Sequence, residues 1–124
     1  MFVVSNNPRV LEHAQSSAIR VEGTSLDVLY KALDMLAEGK YNLFAHPIAG
    51  NARLLHNPFR TMVFQDRSTA DMLWIHQQIA HVIRAIDKME DINYNNVLKD
   101  TFKDYATVDY ELYLATIRGH IENA

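Results

Sequence analysis

A chain of 124 residues is sized for one domain, in which roughly two-thirds of the unfolded chain's surface can be buried on folding. An apolar fraction of 48% with 22% charged residues fits a globular protein and excludes a long disordered tail. With 12 basic and 15 acidic residues the net charge of −3 argues against nucleic acid as a partner, and the absence of cysteine excludes disulfides, thiolate nucleophiles and thiolate-held metal clusters.

Phe2-Val3-Val4-Ser5 favours a strand, stopped by Asn6-Asn7-Pro8, where an asparagine caps a helix that starts at the proline. This opening is too short and uncharged for a secretory leader, and no apolar run reaches membrane-spanning length, so a cytoplasmic protein with no membrane partner is expected. Val10, Leu11 and Ala14 give the first helix a narrow apolar side, and Gln15-Ser16-Ser17 ends it before a second strand over residues 18–22.

Gly23 breaks that strand, Thr24 stands where a helix cap belongs, and Asp27 three residues on completes an approximate capping box. Leu26, Leu29, Leu33 and Leu36 recur at helical spacing until Gly39 offers a left-handed terminus. A third strand over residues 41–45 ends at His46-Pro47, and a fourth over residues 60–65 follows an irregular segment, its direction left open.

Ser68 or Thr69 caps a long third helix whose stripe is Met72, Ile75, Ile79, Val82, Ile83, Ile86 and Met89. Trp74 falls on its far side and needs cover, either from the aromatic C-terminal region with Tyr94, Phe102, Tyr105, Tyr110 and Tyr113 or from a second copy of the chain. Thr107 is expected to cap a last helix running through Leu114, Ile117 and Ile121. The architecture expected is a single α/β domain over residues 1–124 with a small, mostly parallel sheet of about four strands flanked by helices. Residues 1–66 form the strand-rich, motif-bearing half, and residues 67–124 the helical half, ending in a helical C-terminal extension.

Three loops carry the unusual residues: Asn6-Asn7-Pro8, Glu22-Gly23-Thr24-Ser25, and the segment from His46 through Gly50 and Asn51. If strands one to three are parallel, all three loops leave by the carboxyl edge, where open α/β sheets bind ligands. Asn6, Asn7, Gly23, Thr24, Ser25, His46, Gly50 and Asn51 are the candidate ligand set. Side-chain amides, free N–H groups at helix starts and an imidazole suit a small anion or carboxylate. The ordinary structural readings stand beside this: Asn7 caps, Gly23 turns and His46 satisfies a buried bond. Arg53 and Arg60 flank the long loop and can supplement anion binding, although solvated surface is the commoner role for arginine.

His46 is the candidate general acid or base, with Asp27 to orient it, should the protein be an enzyme, but no nucleophile is identifiable. His76 and His81, five apart, diverge on a helix, so no metal site is expected, and the lack of a phosphate-loop pattern leaves no cofactor indicated.

The order of these motifs resembles that of a known family. Ser5-Asn6-Asn7-Pro8 comes first, then Glu22-Gly23 with Leu26-Asp27-Val28-Leu29, then Asp34, Gly39, Leu43-Phe44-Ala45-His46-Pro47-Ile48-Ala49-Gly50-Asn51 and Asn57-Pro58-Phe59-Arg60-Thr61. This resembles the GrdX family, small proteins associated with the operons for glycine, sarcosine and betaine reductase in anaerobic amino-acid-fermenting bacteria. The similarity spans residues 4–63 and departs from the usual pattern at Leu33, at Lys40-Tyr41 and at Asn51. It implies an accessory protein, and the chemistry of the three loops suits such a protein to a carboxylate or amino-acid metabolite, or to a partner enzyme. The alternatives are a small enzyme built on His46 and a homodimeric module joined through Trp74 and the C-terminal aromatic helices.

Overall fold

Strand β1 (Phe2–Ser5) sends Phe2 and Val4 to one face of a sheet and Val3 and Ser5 to the other, and all but Phe2 are fully buried. The computed structural model describes residues 1–43, 56–66, 72–94 and 99–122. Pro8 opens α1 (Pro8–Ala14), a 3-10 turn over Gln15–Ser17 ends it, and β2 (Ala18–Arg20) returns parallel to β1 with Val4 opposite Ile19. β2 is thus shorter than its β-favouring sequence, although the Val21 N–H still reaches the Ser5 carbonyl at 2.9 Å.

Helix α2 (Ser25–Ala37) begins and ends where its local chemistry dictates. Asp27 accepts the Thr24 backbone N–H at 2.7 Å, and Gly39 takes the positive φ of 75° that frees the chain to turn into β3 (Tyr41–Leu43). β4 (Thr61–Asp66), α3 (Met72–Met89) and α4 (Phe102–Glu122) complete the described strands and α-helices. No described helix is long and apolar enough to cross a membrane.

The strand order is β2-β1-β4-β3. β4 runs antiparallel to both neighbours, with Ser5 opposite Thr61 and Leu43 opposite Phe64, so the sheet is mixed and the expectation of a mostly parallel one is corrected. The reason is geometric: the chain leaves β3 and enters β4 at the same edge, which only an antiparallel return permits. β1, β2 and β3 nevertheless point the same way, so their carboxyl ends and the entry to β4 share one edge.

One face of the sheet, built from Val4, Met62, Phe64 and Leu43, is covered by Val28, Leu29, Ala32 and Leu36 of α2 and by Val82, Ala85, Ile86 and Met89 of α3. Each of these side chains other than the two alanines contributes about 1.5–3 kcal/mol on leaving water. The other face, Val3 and Val63, is covered by Val10 of α1 and by Tyr113, Leu114 and Ile117 of α4. The last helix is therefore a layer of the domain and not an extension of it.

Three details of the helices differ from the sequence pattern. Ile83 is exposed and Ala85 is buried in its place, because the buried arc of α3 is centred on Val82, Ile86 and Met89. Trp74 stays 46% exposed, since Tyr110 and Tyr113 pack with His13 of α1, on the sheet face opposite α3. Thr107 lies inside α4 and does not cap it: its hydroxyl donates back to the Lys103 carbonyl at 2.9 Å and accepts from Arg9 at 2.6 Å.

Candidate functional site

Where β1 ends, its two asparagines diverge. Asn6 ties three segments of the shared edge together: its amide donates to the carbonyls of Gly23 (3.0 Å) and Pro58 (2.9 Å), and its oxygen accepts the Arg60 backbone N–H at 2.9 Å. Both amide hydrogens are thus used, and the turns after β1 and β2 are locked to the entry of β4. Gly23 sits at φ 124°, and a Cβ there would collide with the Asp27 carboxylate.

Asn7 points inward and is wholly buried. Its oxygen caps α1 by accepting the Arg9 N–H at 3.1 Å, while its amide donates to the Ala106 carbonyl and to the Asp109 carboxylate, both at 2.9 Å. Asp109 also accepts the Thr61 hydroxyl at 2.7 Å. With the Thr61 proton committed there, the 2.8 Å contact between Ser5 and Thr61 must run from the Ser5 hydroxyl to Thr61 Oγ1, and Ser5 in turn accepts the Asn7 N–H at 3.0 Å. A one-way chain of donors therefore ends on a carboxylate only 7% exposed. Burial holds the Asp109 carboxyl above its usual range, while Asn7, Thr61 and the positive charge of Arg60 draw it back down.

Arg60 supplies the opposite charge. It is 8% exposed, and its Nε donates to Ser25 Oγ at 2.6 Å, at the first residue of α2. Burial pulls its guanidinium below the ordinary value, and the neighbouring Asp109 and Tyr94 push it back up; arginine stays charged across the physiological range. Burial also raises the Tyr94 phenol, countered by Arg60 and by a hydrogen bond with Ser25. Asn57 braces the approach to Arg60, accepting the Phe59 N–H at 2.9 Å and donating to the Tyr105 carbonyl at 3.0 Å. A cation and an anion thus share one buried polar layer, beside the positive end of a helix. Such a layer can recognise an anion and fix its orientation.

Of the residues singled out from sequence, Asn6, Asn7, Gly23, Thr24 and Ser25 converge on this edge. Asn7 builds the layer from within, with no amide hydrogen left for a ligand. Asp27 is engaged by Thr24, through the backbone at 2.7 Å and the hydroxyl at 3.2 Å. His46, Gly50 and Asn51 lie outside the described residues, as does Arg53. Among the described residues no three His, Asp or Glu side chains are grouped to hold a metal.

The sequence reading gave no place in the site to Thr61, Tyr94 or Asp109 and took surface as the default for Arg60. Asp109 had a readable signal: it falls with Ala106 and Tyr113 on the buried side of α4, and an acid on such a face needs partners. Arg60 had a weaker one: it opens the strand read over residues 60–65, on the same alternating side as Met62 and Phe64.

Comparison with known proteins gave no match among curated proteins and none among solved structures. The family described as GrdX-like protein matches residues 2–118, which takes in most of α4 as well as the motif-bearing loops. This chain belongs to the GrdX-like protein family.

Proposed function

We propose that this protein is an accessory binding protein of anaerobic amino-acid reduction, recognising a small carboxylate or amino-acid metabolite, or a carboxylate presented by a partner enzyme, at the carboxyl edge of its sheet. The observation that carries this reading is the buried Arg60, seated on Ser25 at the start of α2. Its guanidinium is a planar, charged set of donors of the kind that matches a carboxylate. Asn6, Gly23, Thr24 and Ser25 set the shape of this edge, and the proposed ligand set also includes His46, Gly50 and Asn51 from the segment after β3.

The test is thermal unfolding against a panel of amino acids and small carboxylates. A ligand present at about 100 times its dissociation constant adds about 2.7 kcal/mol of stability. Arg60→Lys keeps the charge but loses the planar fork, so the expected outcome is a melting shift in the native chain that shrinks in this variant. A panel with no shift, or an equal shift in both proteins, would overturn the reading.

A further inference from the structure

Helix α2 carries its start to the Arg60 edge and its last turns to the opposite edge, where Met35 helps to line an open groove of about 350 Å³. The groove lies at the beginnings of the three co-directional strands and the end of β4. Phe2, Tyr41 and Met35 give it an apolar wall, and Ser16, Ser17 and Asp66 give it polar groups. Phe2 and Tyr41 meet edge to face, with ring centres 5.3 Å apart.

Among the described residues the one charged side chain that lines this groove is Asp66, an exposed carboxylate that forms no ion pair with another described residue. The last turns of α2 bring the negative pole of that helix to the same place, and aromatic rings add their electron-rich faces. The backbone supplies a separate observation. Gln15 is the one non-glycine residue at positive φ among the described residues (φ 50°, ψ −119°), and the turn it opens delivers Ser16 and Ser17 to the groove. Side-chain-bearing residues rarely adopt that conformation, and where it persists it commonly accompanies binding.

We propose that this groove is a second binding site, for an alkylammonium group, with the alkyl part against Phe2, Tyr41 and Met35 and the charge on Asp66. The Ser16 and Ser17 hydroxyls accept ammonium protons. The site is independent of the carboxylate reading at the other edge, because it shares no residue with it. The cation can be a free amine or a lysine side chain of a partner protein.

The experiment is a proton–nitrogen NMR titration of the full chain with propylammonium chloride, with sodium propionate and sodium chloride at equal ionic strength as controls. Saturable shifts are expected at Phe2, Ser16, Ser17, Tyr41 and Asp66 with the amine only. Asp66→Asn, an exposed change compatible with folding, should weaken binding about threefold, the loss expected when an exposed charge contact is removed. Arg60→Lys should leave the titration unaltered. Nα-acetyl-lysine methylamide separates the sources: binding as tight as propylammonium assigns a protein side chain, and binding about tenfold weaker assigns a free amine. No saturable shift, the same shifts with sodium chloride, or full affinity in Asp66→Asn would overturn the proposal.

Discussion

Gln78 of α3 stands in for a missing strand beside Leu43 of β3: its amide oxygen accepts the Leu43 N–H and its amide nitrogen donates to the Leu43 carbonyl, both at 2.9 Å. β3 is an edge strand, and open edges invite pairing with other chains. Gln78→Met keeps the side-chain volume close but leaves two buried backbone groups without partners. The expected loss is about 2–3 kcal/mol in urea unfolding, with increased self-association by light scattering. An unchanged midpoint would show that the clasp contributes nothing.

Asn6 is the corresponding tie at the carboxyl edge. Asn6→Asp retains the acceptor for the Arg60 N–H but sets a carboxylate oxygen against the Gly23 and Pro58 carbonyls. Losing two donors and adding repulsion should cost about 2–4 kcal/mol, more than Asn6→Ala if the repulsion matters. Thermal unfolding of the two variants side by side decides it.

Arg60 and Asp109 should be coupled in stability. Arg60→Met removes the positive charge near the buried Asp109 carboxyl and leaves Asn7 and Thr61 as its donors, and Asp109→Asn removes the negative charge near the guanidinium; each should cost about 1–3 kcal/mol. The double variant should be less destabilised than the sum of the single ones, with an interaction energy of about 1–3 kcal/mol. Additive losses would mean that the two charges act separately.

The pH dependence carries its own sign. Because burial raises the Asp109 carboxyl, the folded chain holds that proton more tightly than the unfolded chain does. The resulting contribution to stability is full below the unfolded-state value and is lost as pH rises through the folded-state value. Asp109→Asn cannot titrate, so the stability of the native chain relative to this variant should increase as pH falls through that window. Urea unfolding at a series of acidic pH values measures the difference, and a gap that widens with rising pH would contradict the assignment.

What the sequence revealed was set by distance along the chain. The caps at Asn7 and Thr24 and the left-handed terminus at Gly39 depend on partners within a few residues, and they were readable. The apolar stripe of α2 was readable for the same reason, with Leu29 and Leu36 buried at helical spacing. Arg60 is buried because it meets Ser25, 35 positions earlier, and Asp109 because it meets Thr61, 48 positions earlier. No local pattern encodes those meetings. The direction of β4 and the place of α4 were hidden likewise, since each depends on which segment covers which face of the sheet.

The placing of β4 between β1 and β3 also sets an order of assembly. β1 occupies the interior of the sheet, yet its hydrogen-bonding partner on one side begins 56 residues downstream, at Thr61. During synthesis Val3 and Val4 must wait, unpaired on that side, until β4 has emerged, and α4 covers its face later still. A ribosome-bound chain stopped before Thr61 should therefore be protease-sensitive throughout, and protection should arrive abruptly, first on the α2 and α3 face and last around Tyr113.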